Sequence, residues 1–189
     1  LVLGAEFGRA EDGWDASVAL AEALGAPVWA APASERPPLP EDHPLYVGGL
    51  PFAIGPLSER LAGHDLIVVV GAPVFRYYPY VPGPYLPDGA ALLHITSDPD
   101  EAGKAPVGDS LVSDAVLAAQ ALIPLIRRRE NAAPAAQEHR LAPHPPAEAP
   151  PSMPHDEDGE LTARRLFAVL REQLPEQTVL VEESPSNLA

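Results

Sequence analysis

The side chains best placed for chemistry follow the most apolar stretch of the sequence. The run Leu66–Val70 is entirely aliphatic, and four candidate side chains come soon after it: Arg76, Tyr77, Tyr78 and Tyr80. In open α/β sheets, ligands and partner surfaces meet at the carboxyl ends of parallel strands. The loop that begins here is therefore a candidate site, although aromatic packing within an ordinary loop explains the same residues equally well.

Three other motifs carry weaker signals. Gly4 and Gly8 follow the first apolar run, but they lack the G-x-G-x-x-G spacing of a dinucleotide site, so an ordinary turn is the preferred interpretation. Gly48 and Gly49 precede a helical pattern and could approach an anion, and a plain turn explains them as well. Asp98 lies where such folds often hold a ribose, yet Asp-Pro is also a common turn opener.

Histidine and cysteine usage does not favour a metal site. The six histidines include no i, i+4 pair: His43, His64, His94, His139, His144 and His155. No cysteine is present, which excludes disulfides, thiolate ligands and a cysteine nucleophile. We therefore expect no metal ligands within this chain.

Charge and composition limit the class of partner. The net charge of −15 over 189 residues disfavours nucleic acid and anionic membranes as main partners. No apolar run approaches the roughly 20 residues that a membrane-spanning helix needs, and no signal peptide is visible. Together with the lack of cysteine, these features predict a cytoplasmic protein.

The elements that would position the candidate loop form an α/β pattern. Because Leu66–Val70 has no polar face, it must be covered on both sides, which predicts a central strand of a parallel sheet. The fold class is therefore a Rossmann-like parallel sheet with helices on both faces. The other expected strands and helices are Leu1–Leu3, Trp14–Leu24 ending at Gly25, Pro27–Ala30, Ile54–Leu61, Ala91–Thr96 and a short edge strand at Leu111–Val112.

The connections and the last helix of this unit complete the prediction. Ala5–Gly13 is expected to be an acidic loop with Asp12 or Asp15 capping the next helix, and 32–51 a proline-rich loop. A helix from Asp114 to Arg129 would be capped by Asp114 and kinked at Pro124.

Composition divides the chain into three parts. Residues 1–130 form the Rossmann-like domain, and residues 131–160 are a Pro/Ala-rich linker that lacks the large apolar side chains needed for order. Residues 161–189 would begin an incomplete second domain, with a helix Ala163–Leu174 capped by Thr162 and a strand Thr178–Val181. Both ends lie next to apparent strands, so we expect a piece of a longer protein.

The sequence resembles the benzoylformate decarboxylases, a branch of the thiamine-diphosphate-dependent enzymes. The motifs that carry the resemblance are Ala26–Trp29, His64–Tyr77, with its run Gly-Ala-Pro-Val-Phe-Arg-Tyr, and Ala105–Asp109. The segments Leu174–Glu176 and Val179–Ser184 resemble the opening of the family's diphosphate-binding domain.

The resemblance implies an enzyme of three α/β domains that converts an aromatic 2-keto acid to an aldehyde with thiamine diphosphate and Mg²⁺. This chain would be its middle domain and the start of its last one. The activating glutamate and the Gly-Asp-Gly metal motif would lie outside it, so the chain alone is expected to be inactive and to hold no cofactor. The full enzyme is expected to be a homodimer or a homotetramer.

The resemblance carries over two groups of site residues. Tyr78 stands where the family has an active-site histidine, and a phenol with a pKa of about 10 can donate a hydrogen bond but cannot exchange protons near neutrality as imidazole does. Ser184, Pro185 and Ser186 match a turn that approaches the cofactor diphosphate. Pro185 has no N–H, so Ser186 and the neighbouring backbone are the preferred ligands.

Two alternatives remain at this point. The middle domain could bind FAD or ADP at its strand ends, as in some relatives of this family. It could also be a purely structural domain of another thiamine-diphosphate enzyme, such as an acetolactate synthase-like protein.

Overall fold

The computed structural model describes residues 1–75, 81–132, 163–175 and 177–179. The chain divides into two compact units, Leu1–Ala147 and Glu148–Ala189. The first unit contains the sheet, and the described part of the second contains one helix.

Six parallel strands form a single sheet in the order β3-β2-β1-β4-β5-β6. They are β1 (Val2–Leu3), β2 (Val28–Ala30), β3 (Tyr46–Gly49), β4 (Leu66–Val70), β5 (Ala91–Thr96) and β6 (Asp109–Val112). The strand order reverses between β1 and β4, which pair in register through Val2 with Val69 and Leu3 with Val70. This arrangement is the doubly wound α/β fold, so the predicted fold class is confirmed.

Helices pack on both faces of the sheet. They are α1 (Ala5–Arg9), α2 (Gly13–Leu24), α3 (Ile54–Arg60), α4 (Pro99–Lys104) and α5 (Ala115–Ala132), with α6 (Ala163–Gln173) in the second unit. One core cluster joins alternate strand residues such as Val69 to Ile54 and Leu57 of α3. The other joins Val70 to residues of α2 and α5, including Leu20.

The aliphatic strand β4 lies inside the sheet between β1 and β5, as its composition predicts. Ile67 contributes to one core cluster and Val70 to the other, so both faces of the strand are covered. Leu66, at the start of the strand, is 52% exposed. The carboxyl half of β4 is therefore the part that the helices enclose.

Several predicted connections contain regular structure. The expected loop Ala5–Gly13 is wrong, because residues 5–9 form α1 and bury Phe7 against the sheet. The expected loop 32–51 is also wrong at its end, where β3 forms the sheet edge with Gly48 at φ 132°. β3 contains Gly48 and Gly49 and no proline, and because glycine weakens a strand pattern the sequence did not predict it.

The helix ends differ in detail from the sequence prediction. Gly25 ends α2 in the left-handed conformation as expected, but Asp12 at its N-cap accepts no hydrogen bond through its side chain. Asp114 does cap α5, since its Oδ1 accepts from Leu117 N–H at 2.9 Å. The helix α5 contains Pro124 and continues to Ala132.

Two short elements also depart from expectation. The edge strand β6 begins at Asp109, two residues before the predicted Leu111. Thr178 and Val179 are not in a strand, and Leu180 and Val181 lie outside the described residues. Most of the predicted linker, residues 133–160, and Thr162 also lie outside them.

Candidate functional site

A crevice of about 270 Å³ opens at the carboxyl ends of the strands, where the strand order reverses. In doubly wound folds this is the position at which ligands bind. Its walls come from the segments that follow β1, β2, β4 and β5, and its charged lining residues are Glu6, Arg9, Glu35, Asp98 and Glu101. Four acidic groups against one basic group give the crevice a negative charge balance.

The carboxylate of Glu6 is bound across the crevice to the end of β5. Its Oε1 accepts a hydrogen bond from Thr96 Oγ1 at 2.8 Å, and its two oxygens lie 3.2 and 3.3 Å from the N–H of Ser97. Thr96 is 2% exposed, and its hydroxyl also accepts from the N–H of Asp98 at 3.2 Å. Glu6 therefore joins the connection after β1 to the connection after β5.

The rim of the crevice is held by local polar contacts. Arg9 of α1 forms an ion pair with Glu35, which follows β2. Asp98 caps α4 by accepting from the N–H groups of Asp100, at 2.8 Å, and Glu101, at 3.3 Å. Asp98 therefore has a structural role as the N-cap of α4, and this role explains its position without a bound ribose.

His94 connects β5 to the segment that follows β4. The side chain is fully buried; its Nε2 lies 2.8 Å from the carbonyl oxygen of Ala72, and its Nδ1 lies 3.0 Å from Ser110 Oγ. A carbonyl only accepts, so we assign the proton to Nε2, and in the neutral ring Nδ1 accepts from the Ser110 hydroxyl. His94 therefore fixes the backbone of residue 72, six positions before Tyr78 in the sequence.

The site residues predicted from the sequence all fall outside the described residues: Tyr78, Ser184, Pro185 and Ser186. Over the described ranges, no group of three His, Cys, Asp or Glu side chains could hold a metal ion. In the same ranges, no helix has the length and apolarity to cross a membrane.

Sequence reasoning missed the polar groups that organise this end of the sheet, above all Glu6, Thr96 and His94. A usable signal for Glu6 was its place two residues after Gly4, directly beyond a strand. His94 offered a second signal, since a histidine in a buried parallel strand needs partners for both ring nitrogens. Neither pattern reveals which partners the fold supplies.

Comparison with known proteins assigns the family. A family model described as "Thiamine pyrophosphate enzyme, central domain" matches residues 1–122. The chain belongs to this family. It is also 43% identical over 191 residues to benzoylformate decarboxylase from Pseudomonas aeruginosa, an alignment that includes the whole of this chain and 33% of that protein. The resemblance noted from the sequence motifs is thereby confirmed.

Solved structures of the family have the same fold. Benzoylformate decarboxylase from Polynucleobacter necessarius matches with a TM-score of 0.82 and 42% identity, over 99% of this chain and 33% of that one. A thiamine diphosphate-dependent 4-hydroxybenzoylformate decarboxylase from Rhodococcus jostii RHA1 matches with a TM-score of 0.67 and 39% identity, over 93% and 31%. The chain therefore spans about a third of the length of these relatives.

The family implies thiamine diphosphate, and the crevice of this central domain does not fit a diphosphate. The donors at the end of β5 already bind the Glu6 carboxylate, and three further acidic groups line the space. A diphosphate would meet charge repulsion here, and the donors of Thr96 and Ser97 would not be free to bind it.

Proposed function

We propose that this chain is the central part of a thiamine-diphosphate-dependent enzyme that decarboxylates aromatic 2-keto acids to aldehydes. The observation that carries the proposal is the 43% identity to benzoylformate decarboxylase along the entire chain. Thiamine diphosphate, with Mg²⁺, would supply the electron sink for loss of carbon dioxide, and the protein would bind and orient the keto acid.

The proposal gives Tyr78 a role at the substrate. Its phenol would donate a hydrogen bond to the keto acid, and a histidine is not needed for that contact. What supports this role is the sequence position of Tyr78, which stands where the family has an active-site histidine. At the other end of the chain, Ser186 and the backbone beside Ser184 and Pro185 would approach the cofactor diphosphate.

The test measures turnover by the full-length enzyme that contains this chain. With benzoylformate, thiamine diphosphate and Mg²⁺, benzaldehyde formation followed through a coupled alcohol dehydrogenase should show saturable turnover. The 189-residue chain by itself should give none. A correctly folded full-length protein that leaves a panel of aromatic 2-keto acids unchanged would reject the proposed activity.

Tyr78→Phe tests the proposed hydrogen bond. Loss of one such bond should lower kcat/KM by roughly two- to tenfold. Tyr46→Phe is the matched control. Tyr46 lies on the edge strand β3, and the oxygen of its phenol lies 3.5 Å from Glu41 Oε1. Equal kinetics for the two variants would favour a purely structural domain.

We also propose that the full enzyme is a homodimer or homotetramer located in the cytoplasm. The net charge of −15 supports only the location, because it disfavours binding to nucleic acid and to anionic membranes. Light scattering after size-exclusion chromatography would determine the number of subunits.

A further inference from the structure

The crevice has the location of a dinucleotide site, yet its first turn departs from the fingerprint at the positions that contact a ligand. If Gly4, directly after β1, is the first glycine of G-x-G-x-x-G, the second and third positions are Glu6 and Arg9. The second glycine normally allows the backbone to approach the pyrophosphate, and the third allows close packing of helix and strand. Here an anionic side chain stands at the position nearest the ligand phosphates.

The contacts of Glu6 are those that an anionic ligand would make. Its carboxylate accepts from the hydroxyl of Thr96 and from the N–H of Ser97. The hydroxyl of Thr96 is oriented towards Glu6, because its oxygen accepts from the N–H of Asp98. Two convergent donors at the end of β5 are thereby occupied from within the chain.

The backbone places Glu6 in this position. Its N–H donates to the carbonyl oxygen of Gly71 at 3.3 Å, and its Cβ lies 2.8 Å from where a Cβ on Gly71 would be. Gly71 has a φ of 72°, which a residue without a side chain adopts without strain. The side chain of Glu6 can therefore cross the end of β4 and reach β5.

We propose that Glu6 is an internal substitute for a ligand phosphate and that it excludes diphosphate-containing ligands from this crevice. The carboxylate takes the donors and adds a negative charge at the point where a diphosphate would lie. This proposal does not depend on the decarboxylase activity, since it concerns only the central domain. It predicts that removal of Glu6 creates a diphosphate site.

The decisive variant is Glu6→Gly in the 189-residue chain, which restores the second glycine of the fingerprint. Inorganic diphosphate without divalent metal, and then ADP, are titrated by calorimetry. Because hydrogen bonds to charged groups contribute about 1.5–3 kcal/mol, the variant should bind diphosphate roughly ten- to a hundredfold more tightly than the unmodified chain.

Two control variants separate occupancy from charge. Glu6→Gln removes the charge but keeps an oxygen that accepts from Thr96 and Ser97, so it should gain less binding than Glu6→Gly. Glu35→Gln removes one negative charge from the same crevice and the ion-pair partner of Arg9 without freeing those donors, so it should gain less than Glu6→Gly. A gain in Glu35→Gln equal to that in Glu6→Gly would show that net charge alone excludes the ligand, and would overturn the proposal.

The remaining outcomes also decide the question. A Glu6→Gly variant with the near-ultraviolet circular dichroism of the unmodified chain, but without diphosphate binding, contradicts the proposal, as does equal binding by the unmodified chain. If Glu6→Gly is unfolded in buffer, Glu6→Ala is tested beside it. Recovery of the native spectrum of either variant with diphosphate supports the proposal, and failure of both to recover overturns it.

Discussion

The close approach of β1 and β4 at the crevice makes Gly4 the most informative position for mutation. A Cβ added to Gly4 would lie 2.2 Å from the carbonyl oxygen of Gly71 and 2.3 Å from the Cβ of Ala72. Ordinary contacts between carbon atoms are about 3.5–4.0 Å, so the overlap exceeds 1 Å. Both opposing atoms belong to the chain segment after β4 and cannot move away by a change of rotamer.

The expected cost of Gly4→Ala is steric rather than conformational. Gly4 has φ −119° and ψ −176°, which alanine adopts without strain. Overpacking typically costs about 1–3 kcal/mol, and occasionally more. We expect the upper end of that range, because relief of the clash requires the end of β4 to move. The carbonyl oxygen of Val70, at that end, accepts a hydrogen bond from the N–H of Gly4 at 2.9 Å.

The assay is urea unfolding of the 189-residue chain, with Gly49→Ala as the matched control. Gly49 lies on β3, where an added Cβ would meet nothing within 4 Å. The control should change stability by less than about 1 kcal/mol. A loss of about 3 kcal/mol in Gly4→Ala corresponds to a decrease in Tm of roughly 6–12 °C. If the two variants unfold within about 0.5 kcal/mol of each other, the tight contact between β1 and β4 is refuted.

Three further predictions concern polar groups of the same unit. His94→Asn should leave the Ala72 carbonyl oxygen unpaired and lower the free energy of unfolding in urea by about 1–3 kcal/mol. His94→Gln should lower it less, because the glutamine amide can still donate to that oxygen. Equal losses in the two variants would count against a proton on His94 Nε2 that donates to Ala72. In the 189-residue chain tested by itself, where Leu1 carries a free amino group, burial lowers the pKa of that group from 8.0 to about 6, so the unfolded state binds more protons between these values and the stability of this chain should rise from pH 6 to pH 8 by up to about 3 kcal/mol; an N-acetylated chain with the same pH dependence would contradict this origin. Asp98→Ala should lose the cap of α4 at a cost of about 1 kcal/mol, while Asp98→Asn should be nearly neutral by thermal unfolding; an equal loss in both would exclude the cap as the cause.

Elements with a strong hydrophobic pattern could be predicted from sequence. The strands β4 and β5 have the predicted bounds, since continuous burial of aliphatic side chains leaves few alternatives. Elements without such a pattern were missed. In α1 only Phe7 is buried, and β3 includes Gly48 and Gly49, so their structure depends on neighbours that are distant in sequence.

The sequence by itself determined the fold class and the family. The pattern of the buried strand and motifs such as Gly71–Tyr77 consist of consecutive residues, so they can be recognised without the structure. Only the tertiary structure decided which polar groups meet at the strand ends. Glu6 and Thr96 are 90 residues apart in the chain, and they form a hydrogen bond because the sheet order places the ends of β1, β4 and β5 side by side. Such a contact follows from topology, which local residue patterns do not encode.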